Sequence, residues 1–447
     1  MSRAARFTTP LVVVVGLLIV ENARGAVLTV GPGGAHATVQ AALDAAFATA
    51  GNDEIRVHTG TYREILTIHL PAGSSDEIDL SGGWNDDFSL ATNNPAATVF
   101  DGESLGRVVH VIGNGGALRL RRLTLRRGDA GDGDGGGLAA VLSASRLSVE
   151  NCHLRNNRAL TGGGALVDLR GPSEFRLVNS LLVANRAVTE NPAGGGLYLY
   201  AEDDSRVTIT GTKINQNLAR SDSNQRIGGG FMIFLVETAQ GTFTDNEVSG
   251  NSLEGAGVGI GAAGALWLSG SATAEFRRSR FLGNGDRHGN NFTNFTEALS
   301  LRSSDNARLR FTDSLVAKAE VDRGLGVTGE ASQNGRLWIT NVTVVDAGNT
   351  GLRVRENHSA AVTVFNSVVF GHTTNLEATA NVARGNNLIG TDPKFVDRAG
   401  ENYRLKAGSP AANKGRNNPQ GGLGPLDLDR KPRIKGARVD IGAYESL

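Results

Sequence analysis

Short runs of alternating apolar and polar residues recur down most of the chain, and each run is followed by a small residue and a further apolar residue. In the clearest copy the apolar positions are Leu147, Val149 and Leu154, with Cys152 at the break and Asn157 at the end. A period of two residues is typical of β-strands and not of helices. The pattern therefore predicts a chain built mainly from short strands.

Nine copies of this pattern can be recognised, the first beginning at Leu118 and the last at Val362. Five consecutive copies end in an asparagine at intervals of roughly 30 residues, a length typical of solenoid repeats. These asparagines are Asn157, Asn185, Asn217, Asn251 and Asn284. If successive copies stack, the asparagines are expected to form a ladder in which each amide bonds the next.

A glycine cluster follows the asparagine in several copies and leads directly into another short strand, as at 162–164, 194–196 and 228–230. Glycine permits a tight corner because it adopts positive φ without steric penalty. Two or three strands joined by such corners make one coil of a parallel β-helix. Propeller blades are disfavoured because paired hairpin turns are missing, and the leucine-rich consensus is different.

The ends of a solenoid must be covered, since a terminal coil presents unpaired strand edges. A helix is predicted over about 37–50, with Thr38 as its cap and an apolar stripe of Val39, Leu43, Ala46 and Phe47. We therefore predict an all-β fold, a single-stranded right-handed parallel β-helix (solenoid) with an N-terminal capping helix. Covered ends favour a monomer.

The first 25 residues read as a processing segment. Arg3 and Arg6 precede an apolar run from 11 to 20, and small residues at Ala23 and Gly25 suit cleavage. We expect a signal peptide over 1–25, and hence a secreted or cell-surface protein with no membrane span after cleavage. An uncleaved membrane anchor is the alternative, although the run is shorter than the ~20 residues that span a bilayer.

The charge balance and the cysteine count limit which partners and which stabilising bonds are expected. Lys+Arg and Asp+Glu are both 45, so the net charge is zero and a nucleic-acid partner, which normally needs a basic face, is not expected. Cys152 is the only cysteine, so no intramolecular disulfide forms and stability must come from stacking. We expect Cys152 to be a buried small residue and not a nucleophile.

Two stretches resemble a known family. The run 59–64, Thr-Gly-Thr-Tyr-Arg-Glu, follows the predicted helix, and 439–445, Val-Asp-Ile-Gly-Ala-Tyr-Glu, lies near the C-terminus. Together with 392–395 they resemble secreted β-helix proteins of the pectate-lyase-like superfamily, choice-of-anchor Q type. The resemblance implies a β-helix with its cap over 26–391 and a closing segment over 392–447. It also implies surface association, but no sorting motif precedes Leu447, so release is expected.

One outward face is rich in aromatic and charged residues. On the strands after the glycine corners, leucines and valines alternate with residues that we expect to point outward. The predicted polysaccharide-binding residues are Asp168, Tyr198, Tyr200, Glu202 and Trp267. Aromatic faces stack on sugar rings, and charged groups bond hydroxyls or uronates. The alternative is that a loop covers these aromatics as a satellite core.

The superfamily resemblance implies β-elimination, which needs a base near the sugar C5 proton and a cation that neutralises the uronate. Arg353, Arg355 and Tyr200 are the candidate catalytic residues. In a glycine-rich loop, Asp129, Asp132 and Asp134 are the candidate Ca²⁺ ligands, with a solvated turn as the alternative.

Two functions remain open from the sequence. The first is a secreted protein that binds an acidic extracellular polysaccharide and, if it is an enzyme, cleaves it as a polysaccharide lyase. The second is a non-catalytic cell-surface adhesion or display scaffold. The sharper motifs of β-helix hydrolases and pectate lyases are missing from the chain, which is the ground for the second function. The row of aromatic and charged residues favours the first for binding.

Overall fold

The computed structural model describes residues 25–221, 225–255, 258–287, 296–319 and 324–446. The predicted signal peptide lies outside the described residues apart from Gly25, so it stays a prediction.

The chain winds through three long sheets, in which every strand runs parallel to its neighbours. Each strand pairs with the strands one coil before and one coil after it. Strand Leu197–Ala201, for example, pairs with Ala165–Arg170 and with Phe231–Leu235. Alternate side chains point inward to a continuous apolar core. This path is that of a parallel β-helix, and the predicted fold class is confirmed.

Each coil passes in turn through sheets I, II and III. Sheet I contains Leu66–Leu70, Val109–Asn114, Leu138–Ser143, Ala165–Arg170, Leu197–Ala201, Phe231–Leu235, Gly264–Leu268, Glu297–Ser303, Leu325–Ala331, Thr350–Glu356 and Thr374–Ala378. Sheet II contains Val27–Val30, Asp53–His58, Glu77–Trp84, Ala117–Arg121, Arg146–Glu150, Glu174–Val178, Arg206–Thr210, Gln240–Thr244, Thr273–Arg277, Arg308–Thr312, Arg336–Thr340, Ala361–Phe365 and Ala383–Gly385. Sheet III contains Gly60–Tyr62, Thr98–Asp101, Thr124–Arg126, His153–Arg155, Leu181–Val183, Lys213–Asn215, Glu247–Ser249, Arg280–Leu282, Leu315–Ala317, Thr343–Val345, Val368–Phe370 and Leu388–Ile389.

The remaining strands of the described residues form three smaller sheets. Sheet IV lies between sheets III and I and contains Arg158–Ala159, Arg186–Val188, Leu218–Arg220, Ser252–Glu254 and Gly285–Arg287. The other two pair Arg226–Ile227 with Gly259–Ile260, and Phe395–Asp397 with Asn402–Leu405.

Sheet II extends beyond the nine copies recognised in the sequence. Strands Val27–Val30, Asp53–His58 and Glu77–Trp84 precede the first copy, and Ala383–Gly385 follows the last. The repeat pattern does not extend to the early strands, since the helix interrupts the first coil. The β-helix is therefore longer than the repeat predicts.

The predicted asparagine ladder is confirmed. The Nδ2 of Asn157 donates to Oδ1 of Asn185 at 3.0 Å, and the same bond joins Asn185, Asn217, Asn251 and Asn284 in turn at 2.9 Å per step. All five side chains are buried. Each also donates to a backbone carbonyl of the preceding coil, as Asn217 does to Leu182 at 3.0 Å. Burial makes these bonds obligatory, since an unpaired amide inside the rod would be costly.

A second ladder, which the sequence did not predict, runs between sheets II and III. The backbone N–H of Cys152 donates to Oγ of Ser180 at 3.1 Å, and the N–H of Thr212 donates to Oδ1 of Asn246 at 3.0 Å. Cys152 is buried, and burial raises the pKa of its thiol to about 12. The expectation of a buried cysteine is confirmed, and the raised pKa disfavours the reactive thiolate.

Helix α1 (Val39–Phe47) packs on the N-terminal end of the core. Oγ1 of Thr38 accepts the N–H of Ala41 at 3.2 Å and so caps the helix. The helix buries Val39, Ala42, Leu43 and Ala46. The capping helix is confirmed, and the other described helix is a short 3₁₀ turn, Pro95–Ala97. In the described part of the chain no helix has the length and apolarity needed to cross a membrane.

The C-terminal segment folds back along the side of the rod. Its apolar residues Phe395, Tyr403 and Tyr444 pack on the outer face of sheet III, where they cover Leu315 and Val368. Beneath this cover Arg433 is fully buried. The closing segment expected over 392–447 thus lies against a face of the solenoid, at its C-terminal half.

Candidate functional site

The outward side chains of sheet I form a continuous row, because the strands stack in register. This central row contains, in order, His69, Ile112, Val141, Asp168, Tyr200, Phe234, Trp267, Arg302, Glu330 and Arg355. A flanking row two residues earlier contains Tyr198, Met232, Ala265, Ser300, Thr328, Arg353 and Glu377. Neighbouring members lie about 4.8 Å apart, the spacing between strands.

Three aromatic residues lie side by side in the middle of the central row. The ring centroids of Tyr200 and Phe234 are 6.4 Å apart, and those of Phe234 and Trp267 are 5.4 Å apart with the rings edge to face. All three are half-buried. Tyr198, Phe234 and Trp267 also pack against a small buried cluster of Met232 and its neighbours. These aromatic residues therefore combine a satellite-core contact with a half-exposed surface.

A charged stretch follows the aromatic residues on the C-terminal side. The guanidinium of Arg302 lies 4.5 Å from the ring centroid of Trp267, a cation–π contact. Arg302 also lies 3.4 Å from a carboxylate oxygen of Glu330 and 4.0 Å from one of Glu297. Phe234, Trp267, Arg302 and Glu330 line an open groove of about 480 Å³.

Glu297 is the buried member of this charged stretch. Its Oε2 atom is buried without a hydrogen-bond partner. Burial raises the pKa of the carboxyl, and the neighbouring Arg302 only partly opposes that effect. Glu297 therefore combines a desolvated carboxylate with a position beside the groove.

Two arginines lie at the far end of the rows. Arg353 and Arg355 both reach Glu377, with nitrogen–oxygen distances of 2.8 Å and 3.0 Å. These bonds hold the pKa of Glu377 below its usual value, although burial opposes them as the largest single effect. The two arginines are thus predicted site residues that the structure does place together.

The other predicted residues lie nearer the N-terminal end of the row. The Tyr200 hydroxyl donates to Glu202 at 3.0 Å, and burial followed by this bond raises the pKa of Tyr200. Asp168 pairs with Arg170 at 2.9 Å.

The predicted catalytic residues are not brought together. Tyr200 and Arg353 lie on strands that are five spacings apart in sheet I, which is roughly 24 Å at ~4.8 Å per strand. Tyr200 and the two arginines therefore cannot contact one sugar residue. The predicted binding residues Asp168, Tyr200 and Trp267, in contrast, share the central row.

Sequence reasoning missed Phe234, Arg302 and Glu330, which link Trp267 to the distal arginines. The sequence did contain a signal for Arg302, because Leu299 and Leu301 alternate with polar residues in strand Glu297–Ser303 and so place Arg302 on the outward face. Strand Phe231–Leu235 is apolar throughout, so alternation could not reveal which of its residues points outward.

The candidate calcium loop shows no convergence of its carboxylates. Asp129 pairs with Arg158 at 3.2 Å and accepts the backbone N–H of Gly131, while Asp132 is exposed. The backbone carbonyl of Asp134 accepts a hydrogen bond from Arg107 at 2.6 Å. Across the described ranges no group of three or more His, Cys, Asp or Glu side chains is arranged to hold a metal ion. Calcium binding by Asp129, Asp132 and Asp134 stays a prediction.

No protein-family model and no curated protein matches the chain. Among solved structures it is similar to the crystal structure of pectate lyase Pel9A, with a TM-score of 0.49 and 14% identity over 96% of this chain and 98% of that one. It is also similar to a pectin methylesterase from Aspergillus niger, with a TM-score of 0.28 and 14% identity over 75% of this chain and 85% of that one. These likenesses are too distant to assign an activity.

Proposed function

We propose that the protein is exported and binds an acidic extracellular polysaccharide along the central row of sheet I. The observation that carries the proposal is that Phe234, Trp267 and Arg302 are in-register neighbours on three adjacent strands and line an open groove. Half-exposed aromatic rings accept the apolar faces of sugar rings. Arg302, which is held against Trp267, offers a charged hydrogen-bond donor to an acidic substituent.

A polymer suits this site better than a small molecule. The row continues without interruption from Tyr200 through Glu330 to Arg355, so an extended chain can contact several coils at once. The groove is open and not enclosed, whereas small-molecule sites bury most of their ligand. Arg353 and Arg355 would bind a second acidic group of the polymer, which would replace Glu377 as their ion-pair partner.

Binding without cleavage is the form of this function that we propose. β-Elimination requires an unprotonated base with a lowered pKa. Burial raises the pKa of Tyr200, and Arg353 and Arg355 are both bound to Glu377. A lyase remains the alternative, and the formation of unsaturated uronates would reveal it.

Replacing Trp267 tests the proposal. We expect Trp267→Ala to weaken binding to an acidic polysaccharide about 10-fold, since a stacked aromatic contributes on the order of 1–2 kcal/mol. Affinity electrophoresis in gels that contain alginate, polygalacturonate, a glycosaminoglycan or neutral dextran measures the effect.

The matched control is Val141→Ala, an exposed residue of the same central row four strands away. It should change retardation less than about twofold if binding is local to the aromatic stretch. Retardation by no acidic polymer, or an equal effect of the two substitutions, would contradict the proposal. Absorbance of unsaturated uronates in the same incubations would show cleavage.

A further inference from the structure

The outer face of sheet II carries a second groove, of about 520 Å³, in the C-terminal half of the rod. It arises from a step in side-chain size between neighbouring coils. Strands Gln240–Thr244 and Thr273–Arg277 present the short side chains of Thr242 and Thr273. The following two strands present long side chains that form one wall.

That wall is strongly cationic. Arg308 and Arg336 are in-register neighbours on adjacent strands, and Arg310 lies two residues further along. All three are exposed. Elsewhere on sheet II, Arg119 and Arg176 each lie 3.5 Å from a glutamate. Within the part of the chain that the structure describes, no carboxylate pairs with the three arginines of the wall.

Such an arrangement is unfavourable for the fold by itself. Like charges on directly neighbouring strand positions repel one another and destabilise the sheet. Glu275, the acidic residue of the groove, is the in-register neighbour of Arg310 but pairs with Arg277, at 3.6 Å, and it is a single negative charge beside three arginines. The groove therefore holds an excess of positive charge that an anionic ligand would neutralise.

Trp338 gives the groove a flat surface beside these charges. It is half-exposed, and the guanidinium of Arg310 lies 5.6 Å from its ring centroid. Gly421 of the C-terminal segment packs on the ring, and a β-carbon there would fall 2.6 Å from it. One side of the indole is thus fixed by the segment.

We propose that this sheet II groove is a second binding site, for a glycan segment that carries sulfate or carboxylate groups. The arginines bind the anionic groups, Trp338 stacks on a sugar ring, and the hydroxyls of Thr242 and Thr273 bond the sugar hydroxyls. The site does not depend on the function proposed for sheet I. Because sheets I and II face different directions, two sites would let one molecule bridge two polysaccharide chains.

The test uses the full chain with sheet I silenced by Trp267→Ala and Arg302→Ala. The probes for titration calorimetry are a heparin octasaccharide (sulfate and carboxylate), an oligogalacturonate (carboxylate alone), neutral dextran and a short DNA duplex. We expect added Arg308→Ala and Arg336→Ala to weaken octasaccharide binding about 10-fold or more. The loss should shrink as salt rises, because exposed charges are screened.

Arg206→Ala is the matched control. Arg206 is exposed and lies on the same row of sheet II, but its in-register neighbours are Glu174 and Gln240. It should change affinity less than about twofold, because it is isolated from a second arginine. Binding of both acidic oligosaccharides supports a general anion site, and binding of the octasaccharide alone supports a site for sulfate.

Three results would overturn the second site. These are no binding of either acidic oligosaccharide by the silenced protein, an equal effect of Arg206→Ala, and binding of dextran or DNA as tight as that of the octasaccharide. Each of them leaves the sheet I proposal standing. Conversely, if silencing sheet I does not change polysaccharide binding, only the sheet I proposal fails.

Discussion

Glu297 shows how burial changes the chemistry of one residue beside the groove. Its Oε2 has no partner, and its nearest cation, Arg302, is 4.0 Å away and is also bound to Glu330 at 3.4 Å. Burying a charge is unfavourable unless good pairing compensates it. The structure therefore keeps an ionisable group where an apolar or amide side chain would be more stable, as is common at functional sites.

We expect Glu297→Gln to stabilise the protein at alkaline pH by roughly 1 kcal/mol. The pKa of Glu297 is raised in the folded state from its usual value of 4.5. Its contribution to stability is therefore fully present below pH 4.5 and is lost as the pH rises through the folded pKa. The amide variant lacks this loss, so the difference in Tm between variant and parent should grow from pH 4 to pH 8.

Glu330→Gln serves as the control for that measurement. It removes an ion pair with Arg302 whose two side chains are both about one-third exposed, and such pairs contribute about 0–1 kcal/mol. A pH dependence that is as large for Glu330→Gln as for Glu297→Gln would show that burial of Glu297 is not the cause.

At the scale of single elements, the asparagine ladder joins five coils through one corner of the rod. Asn217 in its middle donates to Leu182 and Asn251 and accepts two bonds from Asn185, at 2.9–3.0 Å. Such a side chain uses nearly all of its donors and acceptors between coils. The ladder therefore sets the register on which the rows of sheet I depend.

Asn217→Ala should destabilise the protein by about 3 kcal/mol or more, because it leaves the amide of Asn185 and the carbonyl of Leu182 buried without partners. Urea denaturation followed by circular dichroism measures the change. Asn215→Ala is the control, since Asn215 lies on the same coil and its contact with Glu247 is 3.5 Å long. Equal losses in the free energy of unfolding for the two substitutions would mean that the ladder does not stabilise the protein more than an ordinary surface contact does.

The sequence predicts the elements well because each coil repeats the same local chemistry. Alternation identified the outward face that carries Tyr200 and Trp267, and the asparagines identified the ladder. The sequence pattern alone does not show how far apart Tyr200 and Arg353 lie. Loops of different length separate the coils, and only the stacking of the strands sets the distance between the two side chains. Phe234 escaped notice because its strand is apolar on both faces.

At the scale of the whole molecule, the C-terminal segment is held by a buried ionic network. Arg433 donates from Nη2 to Asp313 at 2.5 Å and from Nη1 to Glu445 at 3.1 Å, and all three side chains are buried. Burial raises the pKa of Glu445 to about 7 and that of Asp313 as well. Asp313 belongs to the rod and the other two to the segment, so the network connects the two parts. It also fixes the segment whose Gly421 supports Trp338 in the sheet II groove.

Removing the arginine should therefore detach the segment without unwinding the rod. We expect Arg433→Met to cost about 3–5 kcal/mol locally, since it leaves two buried carboxylates without their cation. Limited proteolysis should then cut the variant after the last coil, near Ile389, while the circular dichroism signal of the strands persists.

Arg404→Met, which breaks an exposed pair with Asp429 in the same segment, should leave the protease pattern unchanged. Cooperative unfolding of the whole variant, or equal cutting of both variants, would show that the network does not act as a local lock. If the segment does detach, the sheet II groove should lose affinity for anionic glycans while the sheet I groove retains its own.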